Sequence, residues 1–442
     1  MNRMNPFRTT AARWLGTLIL FGLAAVGAAQ AQGFDARTRT VTVAPSGGDD
    51  TLAIRQAFLT CIAVGPGCTV RLTEGTFVTR QHVIEGFHGA FVGAGSDRTF
   101  IEPLAPLYVT DAEMVLMNHP TDEEPWPILF LFIDANMTMA DLGFRVTDYE
   151  VTTPWNIYGM QITALATLVS LTGEDARVDV ERVAMESGEG TFFGVSVING
   201  IFVQGVLPGP SGGFGDRPPF SGTVTVRDSR FIGPDGGVLI HNVEGANVSV
   251  RDSVFDGVFS LVVADASDSL VEIANNDIAT VDTGIELVAG LFTQPTAPSR
   301  VVITGNTLRV PAGAQGVTLA DEADVPTLQV LLQGNVFELD GASAGVGGFA
   351  RGVTVRDNLM RGTADAGVRI GALPAGDAAD ADEEAAAPSF ADGWVVVGND
   401  LTGLAAAMAA YVLTDGARDA LVVCAGPASL SDEGEGSRTF CD

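Results

Sequence analysis

Seven windows of the chain share one order of apolar and polar positions: apolar, any, apolar, any, any, Asn or Ser, any, apolar. They start at Val224, Val248, Val271, Val301, Val330, Val353 and Trp394. The sixth position holds Ser229, Ser253, Asn276, Asn306, Asn335, Asn358 and Asn399, and the eighth holds Phe231, Phe255, Ile278, Leu308, Phe337, Met360 and Leu401. Successive windows lie 23 to 41 residues apart, the irregular spacing of a solenoid whose coils carry loops of different length. Each window is a short β-branched segment of period two. A buried column of Asn satisfies its amides only through the turns above and below it, so the pattern predicts a stacked ladder and a parallel β-coil.

A second apolar segment follows each ladder residue, often introduced by Gly: Gly237-Val238-Leu239-Ile240, Gly284-Ile285-Glu286-Leu287, Gly316-Val317-Thr318-Leu319 and Gly367-Val368-Arg369-Ile370. Alternation sends Val238, Ile240, Ile285 and Leu287 inward, and Leu239, His241 and Glu286 outward. Near the N-terminus, Asp49-Asp50-Thr51 caps an amphipathic helix with Ile54, Phe58 and Ile62 on one face, followed by Thr69-Val70-Arg71-Leu72 and Glu74-Gly75-Thr76-Phe77. Gly93-Ala94-Gly95 and Thr99-Phe100-Ile101 come next. With these features the chain resembles the right-handed parallel β-helix proteins of the pectin-lyase-like superfamily, over most of residues 40–425. The resemblance implies an all-β solenoid with an N-terminal helix plugging its open end. That fold hosts lyases, hydrolases, esterases and non-catalytic adhesins, so it leaves the activity open.

Composition changes the picture in three ways. Residues 1–31 carry Arg3, Arg8 and Arg13, an apolar run from Trp14 to Ala29 and then Ala29-Gln30-Ala31, which reads as a secretory signal cleaved near Ala31. No later apolar run reaches membrane length, so no membrane span is expected. The formal net charge is −30, and all 24 basic residues are Arg, which excludes every mechanism that needs a lysine base. The four Cys form two close pairs, Cys61 with Cys68 and Cys424 with Cys441. Three connectivities are open, and in an exported protein local pairing would pin the two ends of the coil.

The expected organisation is a signal peptide over 1–31, an N-terminal segment with the capping helix over 32–68, the β-helix over 69–425 and a C-terminal tail over 426–442. Loop insertions are expected near 111–160, 205–221 and 376–388.

Asp235 stands three residues before Val238, and Asp282 three before Ile285, on coils two apart. That places them about 10 Å from each other, with Asp256 in the coil between. The resemblance implies catalytic Asp residues just before this strand in polygalacturonase-like hydrolases, and inverting hydrolysis needs carboxyls roughly 6.5 to 9.5 Å apart. Asp235, Asp256, Asp282, Glu286 and His241 are therefore the candidate catalytic set, with His241 protonating a leaving group or positioning water. Ca²⁺ ligation by the acids, as in pectate lyases, is a second role. The chain nevertheless lacks the Asn-Thr-Asp, Gly-His-Gly and Arg-Ile-Lys motifs of polygalacturonases, any Asp-Asp in the coils, and the Asp-His element of pectate lyases.

On the preceding strand Glu181, Arg227 and Arg251 share an outward column, with Arg356 farther along. Arg227 and Arg251 would clamp a substrate carboxylate or act as a lyase base; the alternative is an exposed ion-pair ladder. Trp126, Trp155 and Tyr158 would stack on sugar rings or pack down their own insert.

The leading expectation is a secreted, monomeric β-helix that binds an extracellular polysaccharide and cleaves it by hydrolysis or elimination. The rival is a non-catalytic adhesive solenoid. Acidity argues against nucleic acid and bare polyanionic glycans, and for a neutral or Ca²⁺-bridged saccharide.

Overall fold

The computed structural model describes residues 31–107, 127–147, 149–152, 155–157, 160–188, 197–205, 219–290, 294–321, 327–371, 391–414, 416–425 and 428–441. Among these the strands assemble into a 15-stranded and an 18-stranded sheet, paired parallel almost throughout. The chain passes from one sheet to the other within each coil. Val224, Val248, Val271, Val301, Val330 and Val353 stand in register on successive strands, as the window pattern predicts.

The ladder has the expected chemistry. Asn306 donates from its side-chain amide to Asn335 Oδ1 (3.0 Å) and to the Ile273 carbonyl (2.9 Å), while Asn335 Oδ1 also accepts the Asn306 backbone N–H at 3.0 Å. Asn276, Asn335 and Asn358 repeat this arrangement toward the next coil, and Ser253 and Ser229 continue it with a hydroxyl in place of the amide. The residue before the ladder is always left-handed: Asp228, Asp252, Asn275, Gly305, Gly334, Asp357 and Gly398 have φ between 52° and 71°. Asp, Asn and Gly are the residues that tolerate this region, so the turn explains the composition of that position.

The eighth-position column fills the core, with Phe231 and Phe255 stacked at 4.9 Å between centroids. The glycines that introduce the following strand face this column. A Cβ on Gly237 would come within 2.5 Å of Phe255 Cδ1, and one on Gly316 within 2.8 Å of Phe337 Cδ1. Large side chains at one corner therefore require absent ones at the other.

At the N-terminal end the helix Thr51–Val64 buries Ile54, Phe58 and Cys61, and Phe58 packs on Phe87, Phe91 and Phe132. Ile62, expected on the buried face, is exposed; Cys61 takes that position and is bonded to Cys68. Asp49 Oδ1 accepts the Thr51 N–H, whereas the Asp50 carboxylate ties the cap to Ser46 and Val78. Strand Ala31–Asp35 pairs antiparallel with Thr40–Val43 and covers the first sheet edge. Cys424 and Cys441 are bonded at the other end.

Two boundaries differ from expectation. Residues 127–146 of the expected first insertion are coil: Ile128–Ile133 and Asn136–Ala140 pair parallel with strands on both sides. Leu142 and Val183 occupy the ladder position there, so a search for Asn or Ser passes over these coils. The expected C-terminal tail contributes Leu430–Asp432 and Arg438–Phe440, which extend the two sheets. Most of the other two insertions, 206–218 and 376–388, and the signal segment 1–30 lie outside the described residues. No described helix is long and apolar enough to cross a membrane.

Candidate active site

Strand pairing sets the geometry. Gly236 pairs with Phe259 and Phe259 with Thr283, so Asp235 and Asp282, each one residue earlier, hold equivalent positions two coils apart. At the spacing of paired strands this is about 10 Å of backbone separation. Glu286 lies on the second of these coils, in an outward column with Leu239 and Val262.

The backbone of Asp235 is held on both sides: its N–H donates to the Val197 carbonyl at 3.1 Å, and its carbonyl accepts the Phe259 N–H at 2.6 Å. The next coil presses onto it, since a Cβ on Gly257 would lie 2.4 Å from the Pro234 carbonyl. Asn199 lies alongside, and a Cβ on Gly236 would meet its Oδ1 at 2.9 Å. As a result Asp235 is only 5% exposed, and its Oδ1 is buried with no hydrogen-bond partner. Burial, and then the charges of Asp282 and Glu286, push its carboxyl up to about 7. Asp282 and Glu286 are half-buried. The arrangement places a carboxyl that retains its proton near neutrality beside two further carboxyls, which is the division of labour acid–base chemistry needs.

The remaining candidates fall elsewhere. His241 does not face solvent, contrary to the expectation from alternation: it is 3% exposed, stacks on Phe202 at 6.2 Å, and has Nε2 3.5 Å from Asp265 Oδ2. Phe202 from the preceding coil covers that side of the strand. It also stands at the far end of the strand from Asp235.

Asp256 is exposed on a separate strand face, paired with Ile232 and Ala279. It stands in a column that continues through Arg309, Glu338 and Arg361, beside a groove of about 820 Å³. The arginines of that groove are engaged: Arg309 pairs with Asp277 at 2.7 Å and with Glu338 at 3.6 Å, and Arg361 pairs with Glu338.

Arg227 and Arg251 belong to the other sheet and are not brought to the acids. Arg227 pairs with Glu181 and, at 3.1 Å, with Asp228, while Arg251 lies 3.5 Å from Asp252. These contacts match the ion-pair-ladder alternative. Trp126 and Tyr158 lie outside the described residues, as does the side chain of Trp155, whose backbone forms a short hairpin with Met160–Ile162. Among the described residues no group of three or more His, Cys, Asp or Glu is placed to hold a metal ion.

Asp265, buried beside His241, escapes a sequence reading: it has φ 52° and accepts the Gly290 N–H at 2.8 Å, as an ordinary turn former does. Arg369 sits in the Glu286 column, at the same third position of the Gly-led segments.

No family model matches the chain, and no curated protein does. Solved structures do. A DFA-IIIase from Arthrobacter chlorophenolicus A6 without its lid is similar at a TM-score of 0.55 and 11% identity, covering 89% of this chain and 97% of that one. The same protein in complex with DFA-III gives 0.51 and 11%, covering 91% and 98%. A polygalacturonase from Erwinia carotovora ssp. carotovora gives 0.51 and 10%, covering 91% and 93%. The architecture is thus the right-handed parallel β-helix with an N-terminal capping helix. Within that class the chain has the pectin-lyase-like fold.

Proposed function

We propose that the chain is a secreted glycan hydrolase in which Asp235 is the general acid and Asp282 the base that activates water, with Glu286 beside them. The observation that carries this reading is the Asp235 carboxyl, with an oxygen lacking a partner and its pKa pushed up to about 7 by burial first and by the charges of Asp282 and Glu286 after it. Two coils of separation fit the wider carboxyl spacing of inverting hydrolysis. Elimination is disfavoured by the chain's own bases: there is no Lys, and Arg227 and Arg251 are engaged with carboxylates.

The substrate is a polysaccharide, neutral at the residue that is cleaved, because Asp282 and Glu286 repel a uronate there. Ca²⁺ enters as a bridge between an acidic glycan and this acidic surface. The fold likeness to a polygalacturonase is compatible with glycan chemistry. Two disulfides at the coil ends fit export.

The test is release of reducing ends from a panel of neutral and acidic polysaccharides, in Ca²⁺ and in chelator. Asp235→Asn and Asp282→Asn are each expected to lose activity on the order of 100-fold or more. Full activity in both variants would overturn the assignment, and binding without cleavage of any glycan by the wild type would favour the adhesive solenoid.

A further inference from the structure

We infer that the outer face of the capping helix is a dimer interface, and that its partner is the same helix of a second copy of this chain, packed antiparallel across a two-fold axis. The helix Thr51–Val64 is apolar on both sides. Ile54, Ala57, Phe58 and Cys61 face the coil. Leu52, Gln56, Leu59 and Ala63 form one exposed stripe on the opposite side, with Ile62 on its flank. Leu52 is 73% exposed and Leu59 54%. A helix that is apolar all round is one that another element covers.

The patch extends beyond the helix. Of the nine large apolar side chains exposed among the described residues, Phe34, Leu52, Leu59 and Ile62 lie at this one end of the coil. Phe34 stands opposite the buried Val41, so it points to the side of the sheet on which the helix packs.

Charge selects a second copy as the partner. At a formal net charge of −30, two copies repel each other over most of their surface. The helix is exempt, because its one charged residue is Arg55, whose guanidinium turns to the Gln81 carbonyl at 3.0 Å. The charges flanking the stripe have opposite sign at opposite ends. Asp49 lies at the N-terminus, where it accepts the Thr51 N–H at 3.0 Å; its side chain stays 44% exposed with Arg80 at 3.2 Å. Arg39, itself exposed, lies at the C-terminus and donates to the carbonyls of Val64 at 2.9 Å and Gly65 at 3.2 Å. Antiparallel packing brings Asp49 of each copy to Arg39 of the other, twice over, and sets the two helix dipoles in their attractive arrangement. The stripe also complements itself in that direction: Leu52 falls against Ala63, large against small, and Gln56 against Leu59 beside the axis. One helix pair is a small contact, so the dimer is expected to be reversible.

Sedimentation of the whole protein over a series of concentrations tests the interface. The wild type is expected to pass from one copy to two and to stop there. Leu52→Glu and Leu59→Glu are each expected to raise the dissociation constant on the order of tenfold or more. Both side chains meet water in the single chain, so thermal unfolding of the dilute variants is expected to match the wild type. Gln56→Leu, beside the axis, is expected to tighten the dimer. Met408→Glu, which removes an exposed apolar group elsewhere, serves as the control with unchanged association. A single copy at every concentration, the state expected from the sequence alone, overturns the proposal. So does growth past two copies, which would mark a head-to-tail contact, or equal association in the wild type and both Glu variants. Mass spectrometry of the same sample reads whether residues 1–30 have been removed. Their retention overturns the export reading alone, because sedimentation judges the helix face in either case.

Discussion

The chemistry proposed for Asp235 turns on one proton. In the unfolded chain an aspartic acid releases it near the ordinary value of 3.8, and in the folded chain this one keeps it up to about 7. Between those values the native state binds the extra proton, so stability falls as pH rises through that window and the group adds no slope on either side of it. Asp235→Asn removes the titration without changing the shape of the side chain. The variant is expected to gain on the wild type as pH rises from 4 to 8, by up to about 4 kcal/mol. Thermal unfolding at the two pH values reads this directly; parallel pH profiles for the two proteins would show that Asp235 is not buried as described. If Asp235 is the general acid as proposed, the same proton sets the basic limb of activity, which is expected to decline above about pH 7.

At the scale of the strand and turn, two columns hold each coil on the next. Asn306→Leu strips partners from Asn276 on one side and Asn335 on the other, leaving buried donors unmet while inserting a branched apolar group. Destabilisation of about 3 kcal/mol or more is expected, measured by denaturant unfolding. The glycine column makes the opposite demand. Gly237→Ala drives a methyl into Phe255, at an expected cost of about 1 to 3 kcal/mol. Shortening the ring in Gly237→Ala/Phe255→Leu should return part of that cost, and a double-mutant cycle with no coupling would contradict the packing described.

Over the whole molecule the vulnerable parts are the two ends, where strand edges and core would otherwise meet water or another chain. The capping helix covers one end, and the final strands are tied by Cys424–Cys441 at the other. Closing loops with sequence separations of 7 and 17 residues is worth about 2.4 and about 3 kcal/mol in the chain-entropy account. Cys61→Ser with Cys68→Ser is expected to lower the melting temperature and promote association through the uncovered end, seen as a rise in light scattering. Unchanged melting and scattering would show that the helix caps the coil without its covalent tie.

Register was the most legible property of this chain, because every coil repeats the same inward positions and a shift by one residue would turn all of them outward. Val224 through Val353 could be aligned from sequence for that reason, and the alignment put Asp235 and Asp282 two coils apart. The coils at Leu142 and Val183 were not legible by the same rule, since an apolar side chain fills the ladder position as well as an amide does. Exposure was a different matter. Alternation gives the side of a strand on which His241 stands, but Phe202 from another coil decides that it is buried. Likewise Asp235 is raised by the pressure of the neighbouring coil and by charges some fifty residues away in sequence. Local pattern determines which way a side chain points, whereas burial and pKa depend on what distant residues bring to the same place, and that is decided only when the coils stack.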